Sequence, residues 1–158
     1  MKEIANREKQ VNFKELVINA RIDNLGFVQD FIAGELEACA CPVKLQMQLA
    51  LVAEEIFVNI ANYAYNQDTV MSSLPNSGTE AGNVAIRIAA GDEVIVIEFE
   101  DSGKPFNPLE KDDPDLTSDA EEREIGGLGI FMVKNMTDAI KYRYEGNKNI
   151  LMIKKKVA

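Results

Sequence analysis

With 158 residues, 46% apolar and 27% charged, the chain has the size and composition of one globular domain able to bury a core. Its formal net charge of −9 speaks against nucleic acid or an anionic membrane as the main partner, and no apolar run reaches the roughly 18 residues that cross a bilayer. The absence of histidine excludes His-based catalytic triads, imidazole general bases and most zinc sites.

The first ten residues, MKEIANREKQ, are polar and lack the form of a signal peptide, so a cytoplasmic protein with a single domain over 1–158 is expected. Val11–Ala20 reads as a first strand, with Val11, Phe13, Leu16 and Ile18 as its apolar members. Asp23 is placed to cap a helix running to about Ala40, with Leu25, Val28, Phe31, Ile32 and Leu36 at helical spacing. Cys39 and Cys41 stand too close for an ordinary structural disulfide and read as reduced thiols at the helix end. Pro42 suits the first turn of a second helix reaching about Tyr65, whose core stripe is Leu45, Leu49, Val52, Ile56 and Ile60.

Residues 66–82, rich in Ser, Asn, Gly and Thr, read as a long loop. Next, 83-NVAIRIAA-90 and 93-EVIVIEFE-100 flank Gly91-Asp92, a hairpin signal. Residues 103–125 hold no clear element, and a helix is predicted from Gly126 to Thr137. Finally 139-AIKYRYE-145 and 149-NILMIKKK-156 flank 146-GNK-148, a second hairpin. The order β-α-α-β-β-α-β-β predicts an α+β two-layer sandwich, a mixed and mostly antiparallel sheet with helices on one face.

Three constellations carry chemistry. In 54-EEIFVNIANYAY-65, Glu55, Asn59 and Asn62 are four and seven residues apart and share a helix face at the edge of the core. That face is either merely solvated or chosen for hydrogen bonding, asparagine being a mediocre helix former. In 100-EDSGKPFNPLE-110, a strand runs into Asp101 and then Gly103; a turn needs the glycine and Pro105 but not the carboxylate. In 126-GGLGIFMVKNM-136, glycines open a helix, either for close packing or to leave backbone amides bare for an anion. The P-loop and dinucleotide fingerprints are absent, since no Gly-Lys-Ser/Thr follows and no parallel β-α-β unit surrounds the glycines.

In this order and spacing the motifs resemble the ATP-binding domain shared by gyrase-type topoisomerases, heat-shock chaperones and histidine kinases. Within that group the chain is most similar to the bacterial anti-sigma factor serine/threonine kinases. Glu55-x-x-x-Asn59 matches the N-box, Asp101-x-Gly103 the first glycine box and Gly127-x-Gly129 the second, and the resemblance spans about residues 15–155. It implies that Asp101 accepts a hydrogen bond from the adenine amine, with Gly103 letting backbone approach the ring. It implies that Asn59 is a ligand of Mg²⁺, that Gly126, Gly127 and Gly129 cradle phosphates, and that residues 104–125 form a lid. Asn62, Phe106 and Leu128 join the ATP-binding set, and Glu55 is the base that takes the proton from an attacking hydroxyl. The implied function is phosphorylation of an anti-sigma-factor antagonist, with a sigma factor as second partner and a homodimer as the working unit.

The chain departs from its relatives at three places. Ile125 stands directly before the double glycine, where relatives often have a basic residue. The segment 111-KDDPDLTSDAEERE-124 holds seven acids against two bases. Asn149-Ile150-Leu151 replaces the Gly-Thr-Thr that often opens the last strand. These differences leave open an alternative, an ATP-dependent binding module that sequesters a partner without phosphorylating it.

Overall fold

A computed structural model describes residues 12–64, 82–110 and 127–157. Strand β1 (Lys14–Asn19) leads through a 3-10 turn, Ile22–Asn24, into helix α1 (Leu25–Ala38). Helix α2 (Val43–Asn59) runs on into a single π turn, Ile60–Ala64. Then come β2 (Asn83–Ala90), β3 (Val94–Asp101), α3 (Gly127–Met136), β4 (Ala139–Glu145) and β5 (Lys148–Lys156). The five strands lie in the order β1-β2-β3-β5-β4, and every neighbouring pair runs antiparallel.

Alternation with period two decides which way the sheet faces. Val84, Ile86 and Ile88 on β2 and Ile95, Ile97 and Phe99 on β3 turn to one side and are buried. There they meet Val28, Ile32 and Leu36 of α1 and Leu49, Val52, Ile56 and Phe57 of α2 in one core. On the other side lie Arg87, Glu98 and Glu100. Arg87 lies 2.6 Å from Glu15, 3.3 Å from Glu100 and 3.8 Å from Glu98, and Lys148 reaches Glu100 at 3.0 Å. Hence the helices cover one face, as the element order predicts.

Local chemistry explains the boundaries. Asp23 is not the cap of α1: it falls inside the 3-10 turn, and Asn24 takes the capping position. The Asn24 side chain turns back instead, donating to the Asn19 carbonyl at 2.9 Å and tying the end of β1 to the start of α1. At the other end of α1 the Ala40 N–H donates to Glu37 O and the Cys41 N–H to Leu36 O, both at 3.0 Å. That pair of bonds is a Schellman closure, and its left-handed residue is Ala40, φ 57°, where glycine is usual. Pro42 precedes α2 as its capping residue rather than sitting in its first turn. Positive φ at both Gly146 and Asn147 gives the β4–β5 hairpin the turn that matches strand twist. Strand β1 begins three residues later than predicted, and Val11 lies outside the described residues, as do 66–81 of the predicted loop. Among the described residues no helix is long and apolar enough to cross a membrane.

Candidate functional site

Asp101 is the last residue of β3 and takes the inward phase of the alternation, so its carboxylate points to the helix layer where an apolar side chain would otherwise sit. It is 5% exposed. Burial pushes its carboxyl above the ordinary aspartate range, and hydrogen bonds from Asn149 and the Gly103 N–H pull partly back. Both donors go to the same oxygen: Gly103 N–H to Oδ1 at 2.9 Å, Asn149 Nδ2 to Oδ1 at 2.9 Å.

Asn149 faces Asp101 across the β3–β5 ladder and is equally buried. Its Nδ2 also donates to Lys104 O at 3.0 Å and, more weakly, to Gly103 O at 3.4 Å. Its Oδ1 accepts from the Phe106 N–H at 3.1 Å and from the Tyr142 hydroxyl. One amide thus gathers the end of β3, the turn after it, and β4.

Above this pair lies a pocket of about 430 Å³, part of it open to solvent. Ile56, Ile60, Ala64, Phe99, Phe106, Pro108, Ile130 and Leu151 supply its apolar walls, while Asn59, Asp101, Tyr142 and Asn149 are the polar groups. The apolar walls and the few converging polar groups are those of a small-molecule site. Phe106 stacks on Tyr63, ring centres 5.7 Å apart and planes 23° from parallel. An apolar slot with one buried acceptor suits a flat heteroaromatic ring that carries an N–H donor.

Two glycines show what their lack of a side chain is for. A Cβ at Gly103 would lie 2.7 Å from Ala64 Cβ and closer still to the Ala64 carbonyl. The space this glycine leaves is therefore taken by Ala64 of the π turn. A Cβ at Gly129 would lie 2.6 Å from Glu55 Cδ and closer to Oε2. So Glu55 lays its carboxylate against the first turn of α3. Burial, then the charge of Glu54, pushes that carboxyl above the ordinary glutamate range.

The structure brings Asn59, Asp101 and Phe106 to one pocket, with Gly103 beneath it and Glu55 against Gly129. Gly127 and Leu128 open the backbone of α3; Gly126 and residues 111–125 of the expected lid lie outside the described residues. The start of that lid has structure the sequence did not suggest: Pro108–Glu110 is a 3-10 turn, and Asn107 Oδ1 accepts the Leu109 N–H at 2.9 Å. Asn62 is not among the pocket's lining residues. It sits on the π turn, where the residue spacing per turn is wider than the α-helical counting assumes. Sequence reasoning also missed Asn149 and Tyr142. The available signal was one polar residue opening the apolar run 149-NILMI-153, which reads at first only as a departure from a pattern.

Comparison with known proteins agrees with this geometry. The histidine kinase-like ATPase domain family matches residues 18–155. The serine-protein kinase RsbW of Listeria monocytogenes serovar 1/2a is 27% identical over 81 residues, 49% of this chain and 52% of that protein. The RsbW of Listeria innocua serovar 6a is 26% identical over the same shares. The chain spans about half the length of these curated relatives. A crystal structure of the RsbU and RsbW domains of Rv1364c from Mycobacterium tuberculosis matches 92% of this chain and 32% of that one. Its TM-score is 0.61 at 12% identity, a likeness of fold.

Proposed function

We propose, on the premise that the chain belongs to the histidine kinase-like ATPase domain family, that it binds one Mg·ATP in the β3–β5 pocket and phosphorylates a serine or threonine of a partner protein. The observation that carries this reading is the buried Asp101 carboxylate at the floor of an apolar pocket, with Asn59 on its wall.

The residues present fit both groups. Asp101 offers an acceptor for the adenine amine, and Ile56, Ile60 and Phe106 keep water from the ring. The first N–H groups of α3 lack helical partners and suit phosphate oxygens. Among the described residues no three His, Cys, Asp or Glu cluster together. A Mg²⁺ ion here would take one oxygen from Asn59 and the rest from phosphate and water, its common habit in such sites. When bound, Mg·ATP supplies the phosphoryl group and the neutralisation of its charge. Glu55 then takes the proton from the incoming hydroxyl as that oxygen bonds to phosphorus, and ADP is left. Its raised pKa suits a base that must hold the proton it accepts.

Similarity to proteins named serine-protein kinase RsbW supports a protein serine as the acceptor; an anti-sigma-factor antagonist as the substrate, a sigma factor as the second partner and a homodimer rest on the resemblance of the motifs. The test is direct: the chain is incubated with Mg·ATP and candidate antagonists, and phosphoserine or phosphothreonine is sought by mass spectrometry. Ile125, in place of a cation before the double glycine, favours a second reading, ATP-gated sequestration. Capture of an antagonist or sigma factor that needs ATP but yields no phosphorylated product establishes that reading and ends the first.

A further inference from the structure

We propose that Asn149 is the positioning residue for nucleobase choice: it pins Asp101 so that one carboxylate oxygen is presented to the pocket, and selectivity for a base with an exocyclic amine follows. This rests on the reading of the pocket as a nucleotide site.

An amide has two donor hydrogens and one oxygen with two acceptor positions. Asn149 spends all of them on protein. Its hydrogens go to Asp101 Oδ1 and the Lys104 and Gly103 carbonyls; its oxygen takes the Phe106 N–H and the Tyr142 hydroxyl. Although it lines the pocket, it has nothing left to offer a ligand, so its influence on the base runs through Asp101. The amide cannot be reversed without loss. Turned over, its oxygen would meet the Asp101 carboxylate and its NH₂ would meet the Phe106 N–H, acceptor on acceptor and donor on donor.

The Asp101 carboxylate is fixed by the same network. Asn149 and the Gly103 N–H both hold Oδ1, which stops rotation of the carboxylate about its own axis. Oδ2 takes no hydrogen bond from the described residues and remains the acceptor for the pocket. Without Asn149, one of the two pins is gone, and the carboxylate is free to turn toward water or toward the Lys104 backbone.

A merely structural Asn149 makes a different prediction, and the two are separated by a ligand-side deletion. Calorimetry on the full chain compares Mg·ATP with the triphosphate of purine riboside, which lacks only the exocyclic amine. Wild type should prefer ATP by about tenfold or more, the value of a hydrogen bond to a charged acceptor. In Asn149→Leu the preference should fall to within about threefold, ATP losing more affinity than the purine triphosphate. If both nucleotides weaken by one factor and the preference stands, the proposal is overturned. If wild type binds ATP without discriminating, it is overturned too, while the nucleotide site survives. If wild type binds no ATP, both readings fall together. Should Asn149→Leu not fold, Asn149→Ala is judged by the same ratio.

Discussion

Asp101→Asn separates what the site does for a ligand from what it does for the fold. An asparagine oxygen at the place of Oδ1 keeps both hydrogen bonds, from the Gly103 N–H and the Asn149 amide, each 2.9 Å in the wild type. Its NH₂ then replaces Oδ2, and a donor faces the adenine donor. The loss is one hydrogen bond to a charged group, about 1.5–3 kcal/mol, which is roughly a 10- to 150-fold rise in Kd for ATP. Stability should move the other way. Burial raises the folded-state pKa of Asp101, so the unfolded chain releases this proton at lower pH than the folded one. The group's contribution is therefore fully present below the unfolded pKa and is lost as pH rises through the folded pKa. At neutral pH the neutral isostere should melt as high as wild type or higher without nucleotide, and the gap should close as pH falls through the raised pKa. Calorimetry and thermal melts from pH 4 to 8 read both. Unchanged ATP affinity refutes the adenine assignment; a ligand-free variant melting several degrees lower refutes the view that burial outweighs the two hydrogen bonds.

Glu55→Gln should leave ATP affinity nearly intact and cut phosphoryl transfer by about 10²–10⁴-fold in a phosphoprotein assay, the usual worth of a positioned base. Because burial and Glu54 raise the Glu55 pKa, wild-type transfer should fail on the acid side at higher pH than an ordinary glutamate would allow. Glu54→Gln should move that limb of the pH–rate profile downward. Gly129→Ala should firm α3 by up to about 1 kcal/mol in thermal melts while its methyl displaces the Glu55 carboxylate, so transfer falls although ATP still binds in calorimetry. Ala40→Gly relieves a left-handed alanine that costs about 1–2 kcal/mol, part of it returned as unfolded-chain entropy; the net gain should appear as a melting point a few degrees higher.

How much of this was legible depended on range. The alternation in 83–90 and 94–101 and the stripes on α1 and α2 are local patterns, and the strands and helices appear where those patterns run. The phase of Asp101 could be counted from Ile95, Ile97 and Phe99. Nothing in IANYA marks the change to a π turn, so α-helical counting from Asn59 does not carry over to Asn62. Asn149 escaped because its role is created by a partner 48 residues away, fixed by strand register that no local pattern contains. In the sequence Gly129 reads as serving close packing or a phosphate; that its close neighbour is the Glu55 carboxylate is visible when α2 and α3 are seen side by side.

Strand order has a consequence for synthesis. Strand β5 comes last in the described chain, yet it slots between β3 and β4, and the Asp101–Asn149 bond joins β3 to it. A ribosome delivers residues in sequence, so a nascent chain holding β1 through β4 has Asp101 but not the partner that orients it. Such a chain lacks Asn149 and Leu151, the part of the pocket wall that β5 supplies. On the proposed reading, ATP finds its whole pocket only once β5 has entered, and a ligand that binds the folded form stabilises it by mass action. Nucleotide would in this way distinguish finished molecules from unfinished ones before any partner meets them.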